Sequence, residues 1–188
     1  MQRLHLALLI LIFSALVIGC AREAPAAPTD QPKKVETTTI PTPVLIDAPA
    51  DCPITKQQDP PFIAPEPYLP EPRYQDHFWH GSDLLWTMLP KNGVWDALPH
   101  NPEGYTQKIF WWRDGYIWND EPLPDLKVNG ERLDTKAPSF FITEATNALI
   151  PENKSAMLTG VDFPTIGCWK VTGQYGDAEL SFVIWIEP

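Results

Sequence analysis

The chain has 188 residues and a formal net charge of −10, from 14 Lys and Arg against 24 Asp and Glu, and all 8 of its tryptophans lie at or after Trp79. So acidic a chain lacks the basic face that nucleic-acid phosphates require, and it carries no polybasic patch for an anionic membrane surface. Its length accommodates one domain and a tether, and its charge suits a soluble domain.

Met1-Gln2-Arg3 supplies a minimal positive start, and Leu4 to Ile18 is apolar apart from His5 and Ser14. That run fits the apolar core of a signal peptide and falls short of the roughly 20 residues that span a bilayer. It ends at Val17-Ile18-Gly19-Cys20. This series resembles a bacterial lipobox, which makes residues 1–19 a lipoprotein signal peptide and Cys20 the lipidated first residue of the mature protein. Ordinary secretion and a retained helix are the alternatives. Against the first, Ala15-Leu16-Val17 is a poor small-x-small cleavage site; against the second, Ala21-Arg22-Glu23-Ala24-Pro25 does not continue a helix. One acyl chain anchors only marginally and two hold stably, so the resemblance implies an extracytoplasmic protein attached to the membrane through Cys20. Ala21 rather than Asp follows that cysteine. In a bacterium with two membranes, the resemblance implies a sorting that would let such a lipoprotein reach the outer one.

Residues 20–51 read as Pro, Ala, Thr and Glu with few aromatics, and such a segment cannot bury enough apolar surface to fold. A disordered spacer is expected, reaching roughly 100 Å at about 3.1 Å per residue. Residues 52–76 are also proline-rich, but they interleave Phe62, Ile63, Tyr68, Leu69 and Tyr74. A free linker has no use for these, so this part is expected to be an extended arm packed on the domain. A proline-rich ligand for a partner domain is the rival reading.

From residue 77 to 188 the segments are short, β-branched or aromatic, and punctuated by turn signals at the spacing of an all-β sandwich. The expected fold is a small immunoglobulin-like antiparallel β-sandwich preceded by the proline-rich tether. Cys168 to Tyr175 and Ala178 to Ile186 flank Gly176-Asp177, which suits a type II′ hairpin turn. The two-residue turn fixes the register: Trp169 faces Ile184, Val171 faces Phe182 and Gly173 faces Leu180 on one side. Cys168 opposite Trp185 and Thr172 opposite Ser181 lie on the other. Asp114-Gly115 and Asn129-Gly130 are expected to close two more hairpins, of type I′. Ser82 to Leu89 and Ser139 to Ile150 are ambiguous between strand and helix, and Ala156 to Val161 reads as a strand.

With Cys20 taken by lipid, Cys52 and Cys168 remain as an even pair in an oxidising compartment. The register turns Cys168 away from the Trp169 face, toward the side where the arm lies. A Cys52–Cys168 disulfide is therefore expected to staple the arm over that face of the hairpin.

Several segments carry a wider likeness: Cys52-Pro53-Ile54-Thr55, Phe78-Trp79-His80-Gly81-Ser82, Phe110 to Tyr116, and Pro164-Thr165-Ile166-Gly167-Cys168-Trp169. Together they resemble a group of uncharacterised bacterial lipoproteins with a proline-rich N-terminal region and a C-terminal β-domain ending in a Gly-Cys-Trp hairpin. The resemblance implies an envelope location and supplies no activity to carry over. The hairpin is also similar to the last strands of immunoglobulin-like sandwiches, a likeness of fold alone.

No Gly-x-Ser-x-Gly, Ser-x-x-Lys or His-Glu-x-x-His motif is present, so no catalytic residue is assigned. His77, His80, His100, Asp83, Met88 and Met157 are ligand types without metal-site spacing, so no metal and no cofactor is assigned either. Trp111, Trp112, Tyr116 and Trp118 form the candidate ligand surface. In the Asp114-Gly115 hairpin register Trp111 faces Trp118, while Trp112 and Ile117 lie on the opposite face. A two-layer sandwich buries one face, so one pair points outward or lies beneath the arm. Outward, an indole pair stacks on a cell-wall or extracellular glycan, with Arg113 or Asp114 adding hydrogen bonds; an envelope protein is the other partner considered. Cover by the arm is the leading expectation. The chain reads as a non-catalytic binding or structural module, with glycan binding second and an exported metal-binding protein or enzyme third.

Overall fold

A computed structural model describes residues 47–151 and 154–187. The expected signal peptide, Cys20 and most of the expected spacer lie outside the described residues. In chain order the strands are β1 (His77–Ser82), β2 (Leu85–Pro90), β3 (Val94–Trp95), β4 (His100–Asn101), β5 (Gly104–Trp112) and β6 (Leu126–Arg132). They continue as β7 (Phe140–Ile142), β8 (Thr146–Ile150), β9 (Lys154–Phe163), β10 (Gly167–Tyr175) and β11 (Ala178–Ile186). One sheet runs β1-β2-β5-β9-β8 with β4 attached to β5; the other runs β3-β11-β10-β6-β7. The fold is all-β, and the second sheet is mixed because β3 runs parallel to β11.

Successive strand residues alternate faces, and this alone sorts the core. Ile109, Trp111, Met157, Val161 and Phe163 of the first sheet meet Trp169, Val171, Phe182 and Ile184 of the second in one buried cluster. Trp111 lies 5.9 Å from Phe182 and Phe163 lies 5.6 Å from Trp169, ring centre to ring centre. Burial of these rings is the main term holding the two sheets together.

The β10–β11 hairpin has the register read from its turn, including Trp169 opposite Ile184 and Cys168 opposite Trp185. Gly176 takes φ +61°, the left-handed value required at the first turn position. Ala156 to Val161 falls within β9. The ambiguous segments resolve as strands: Ser82 to Leu89 spans the tight β1–β2 hairpin, whose Ser82 pairs with Leu85. Ser139 to Ile150 holds β7 and β8, which belong to different sheets.

Two expected hairpins do not form. A turn at Asp114-Gly115 is closed by Tyr116 N–H to the Arg113 carbonyl (3.3 Å), but the chain does not return along β5. Both sides of β5 are already taken at this end, by β2 (Thr87 opposite Trp111) and by β9 (Met157 opposite Trp111). Asn129-Gly130 lies inside β6, which pairs with β10 on one side and β7 on the other, so no reversal occurs there.

Cys52 and Cys168 are joined, as expected, across a separation of 116 residues. Around the bond the Gly-Cys-Trp series divides its roles. Gly167, at φ +133°, leaves room for the Arg132 guanidinium, which an added Cβ would meet at 2.5 Å. Arg132 in turn makes a two-pronged ion pair with Asp134 (2.7 and 2.9 Å). Trp169 enters the core.

From Cys52 the arm first closes the open edge of β11. Thr55 N–H donates to the Val183 carbonyl (2.9 Å), and Val183 N–H donates to Thr55 Oγ1 (2.8 Å). Unpaired edge groups of this kind invite association with other chains, and the arm satisfies those of Val183. Contrary to the expectation that it lies over the Cys168 face of the β10–β11 hairpin, beyond Thr55 the arm crosses the outer face of the first sheet instead, as a third layer. There Ala64, Tyr68, Trp79, Trp86, Trp112 and Ala156 form a second buried cluster. The Tyr68 ring stands edge-on to Trp86 at 5.0 Å, and its hydroxyl donates to the Arg113 carbonyl (3.1 Å). Trp79 Nε1 donates to the Leu69 carbonyl (3.0 Å). Aromatic pairs of this geometry contribute about 0.5–1.5 kcal/mol each beyond the area they bury.

Candidate functional site

The expected aromatic surface is taken apart by the alternation of β5. Trp111 points inward, donates from Nε1 to Thr159 Oγ1 (3.1 Å) and is fully buried. Trp112 points outward but lies beneath the arm, edge-on to Trp79 at 5.0 Å and only 1 % exposed. Tyr116 is buried, with its hydroxyl donating to the Glu121 carbonyl (2.8 Å). Trp118 is half-buried on a loop tied to β9 through its N–H and Ser155 Oγ (3.2 Å). The facing pairs Trp111–Trp118 and Trp112–Ile117 therefore do not exist, because they depended on the hairpin that β2 and β9 exclude. An outward indole pair at Trp111 or Trp112 is corrected to an inward core residue and a covered one. Of the alternatives read from the sequence, cover by the arm is the one observed for Trp112.

Beside this cluster a cleft of about 420 Å³ remains, lined by Arg113, Asp114, Ile117, Asp120, Glu121 and Tyr175. Its aromatic groups are spent on holding the loop. Tyr175 O–H donates to Glu121 Oε2, and the Arg113 guanidinium sits over the Tyr175 ring at 5.4 Å. Burial first, then the Glu121 carboxylate, pushes both phenols up, Tyr116 to about 12 and Tyr175 to about 12. At physiological pH both stay protonated donors, which suits a structural clasp and not a general base.

The ligand-type residues noted in the sequence are not brought together. His77 and His80 lie on opposite faces of β1. His77 Nδ1 pairs with Asp76 (2.8 Å), a bond that holds the Asp76 carboxyl below its usual range. His100 packs on Tyr105 at 4.6 Å. Met157 is in the core, and Met88 is on the outer face. No group of three or more His, Cys, Asp or Glu is placed to hold a metal among the described residues.

His80 has a different job. Its Nε2–H donates to the Ser181 carbonyl (3.0 Å), linking the two sheets, while Nδ1 is buried with no partner among the described residues. Burial lowers its pKa from the ordinary value, and the Ser181 bond opposes this only in part. The unfolded chain therefore takes up this proton before the folded one does. The stabilising contribution is intact above the ordinary histidine pKa of about 6.5 and is lost as pH falls toward the lower folded value. Urea midpoints measured between pH 8 and pH 5 should fall over this window, and the fall should be smaller in His80→Gln. An unchanged slope in the variant would place the proton uptake elsewhere.

A second cleft, of about 370 Å³, opens where the arm meets the β1–β2 hairpin. Gln57, Phe62, Ile63, Tyr74, Gln75 and Lys91 line it, with Trp79 closing its floor. The sequence marked Phe62, Ile63 and Tyr74 as residues a linker does not need, but only the path of the arm brings them beside Lys91. No protein family, curated protein or solved structure matches the chain.

Proposed function

We propose that the chain is an exported lipoprotein, anchored to the cell membrane through Cys20, whose β-sandwich acts as a non-catalytic binding or structural module in the envelope. The observation that carries this reading is the Cys52–Cys168 bond. Bonds of this kind persist in oxidising, extracytoplasmic compartments and are rare in the cytosol. The apolar run ending at Val17-Ile18-Gly19-Cys20 and the resemblance to proline-rich lipoproteins point the same way. Residues 21–51 then serve as the spacer that lifts the sandwich from the bilayer. The clasped phenols of the Arg113 cleft, held as protonated donors, support a binding or structural role for that cleft. The partner is an envelope glycan or protein, and the net charge of −10 disfavours nucleic acid.

Growth with an alkyne-tagged fatty acid tests the anchor. The native chain should take up label and partition into detergent, and Cys20→Ser should do neither. Equal labelling or equal membrane retention in Cys20→Ser would overturn the reading.

A further inference from the structure

We propose that the cleft between the arm and the β1–β2 hairpin is a binding site for a neutral saccharide. This deepens the reading of the sandwich as a binding module, while its test does not involve Cys20.

Tyr74 carries the inference. It is 56 % exposed, whereas Tyr68 on the same arm is 7 % exposed and serves the packing. The exposed ring is nevertheless held in place. It lies 5.5 Å from the His77 ring, and the Tyr74 carbonyl accepts from His77 N–H (3.0 Å). The Tyr74 hydroxyl has no hydrogen-bond partner among the described residues. An aromatic face fixed in position is what stacking on the C–H face of a pyranose ring requires, and the phenol hydroxyl can add a hydrogen bond beside it.

The rim supplies the rest of the recognition. Gln57 and Gln75 each offer a donor and an acceptor, Glu71 accepts and Lys91 donates. Sugar hydroxyls are donors and acceptors at once, and a mixed rim matches them better than a rim of one kind. Lys91 Nζ already donates to the Gln75 carbonyl (2.7 Å), which fixes its position and leaves further donors free. One cation and one carboxylate balance within the cleft, so nothing local selects a charged ligand. The overall charge of −10 repels acidic polymers and leaves a neutral saccharide favoured. A volume of about 370 Å³ lies in the range of small-ligand sites, roughly 300–1,000 Å³. The cleft around Arg113 lacks these features, since its tyrosines are engaged and its remaining charges are mainly acidic.

The test is saturation-transfer NMR on the full chain in detergent, with N-acetylglucosamine trimer, cellotriose and maltotriose as probes. At least one probe should receive saturation from the protein. Tyr74→Ala should weaken its binding about tenfold, the loss expected for one aromatic contact of about 1–1.5 kcal/mol. Tyr74→Phe should retain the stacking and most of the binding, and Gln75→Ala should weaken binding with Tyr74 intact. Absence of transfer to all three probes would overturn the proposal, as would equal binding by Tyr74→Ala. Transfer to a proline-rich peptide but to no saccharide would overturn it in favour of a peptide groove. Fatty-acid labelling is indifferent to each of these outcomes, so the anchor and the saccharide site fail separately.

Discussion

Replacing Cys52 by alanine should lower the unfolding free energy by about 4–5 kcal/mol, the chain-entropy value for a loop of this length. The bond closes a separation of 116 residues, so it removes many conformations from the unfolded chain. In the folded state it sits where the arm begins, just before Thr55 seals the β11 edge. The remaining arm contacts, chiefly Tyr68 on Trp86 and Trp79 to Leu69, are non-covalent and then oppose the whole entropy of the segment. Urea unfolding of Cys52→Ala, Cys168→Ala and the native chain under reductant should give three closely similar midpoints, all well below that of the oxidised protein. A loss below about 1 kcal/mol would mean that arm packing alone fixes the segment, at odds with the entropy argument. The variants should also show more tryptophan exposure to a quencher, because Trp79, Trp86 and Trp112 have the arm as their cover.

That dependence on the arm explains what the sequence could and could not disclose. The β10–β11 hairpin was readable to the residue, because a two-residue turn and a period-two apolar pattern are both local. The disulfide followed, since the same register points Cys168 away from Trp169. The opposite orientation of Trp111 and Trp112 was implicit in their adjacency on one strand. What covers each was not, because it depends on which strands flank β5 and where the arm runs. Asp114-Gly115 and Asn129-Gly130 carried hairpin chemistry and were overruled by pairing with β9 and β10, strands far along the chain. The two-residue β3 gives too short a pattern to detect, yet it alone makes the second sheet mixed. The cleft around Tyr74 joins arm residues to Lys91 at the end of the β1–β2 hairpin, and no sequence spacing announces that meeting.

Trp111→Ala should cost about 3–5 kcal/mol, the usual range for deleting a buried tryptophan. The ring bridges the two sheets: it touches Phe182 and donates to Thr159, and it also lies directly over Gly173 of β10. A Cβ added at Gly173 would meet the far edge of that ring at 2.5 Å, so Gly173→Ala should cost about 1–3 kcal/mol through overpacking. The two substitutions must then be coupled. Once Trp111 is alanine the obstructing ring is gone, and the new methyl group of Gly173→Ala enters the cavity that the indole vacated. In the Trp111→Ala background, Gly173→Ala should therefore be close to neutral or slightly stabilising. A double-mutant cycle read by urea denaturation should return a coupling energy of about 1–3 kcal/mol favouring the double variant. Additive losses would instead mean that Gly173 is needed for its backbone alone, and that the sheets do not meet at this contact.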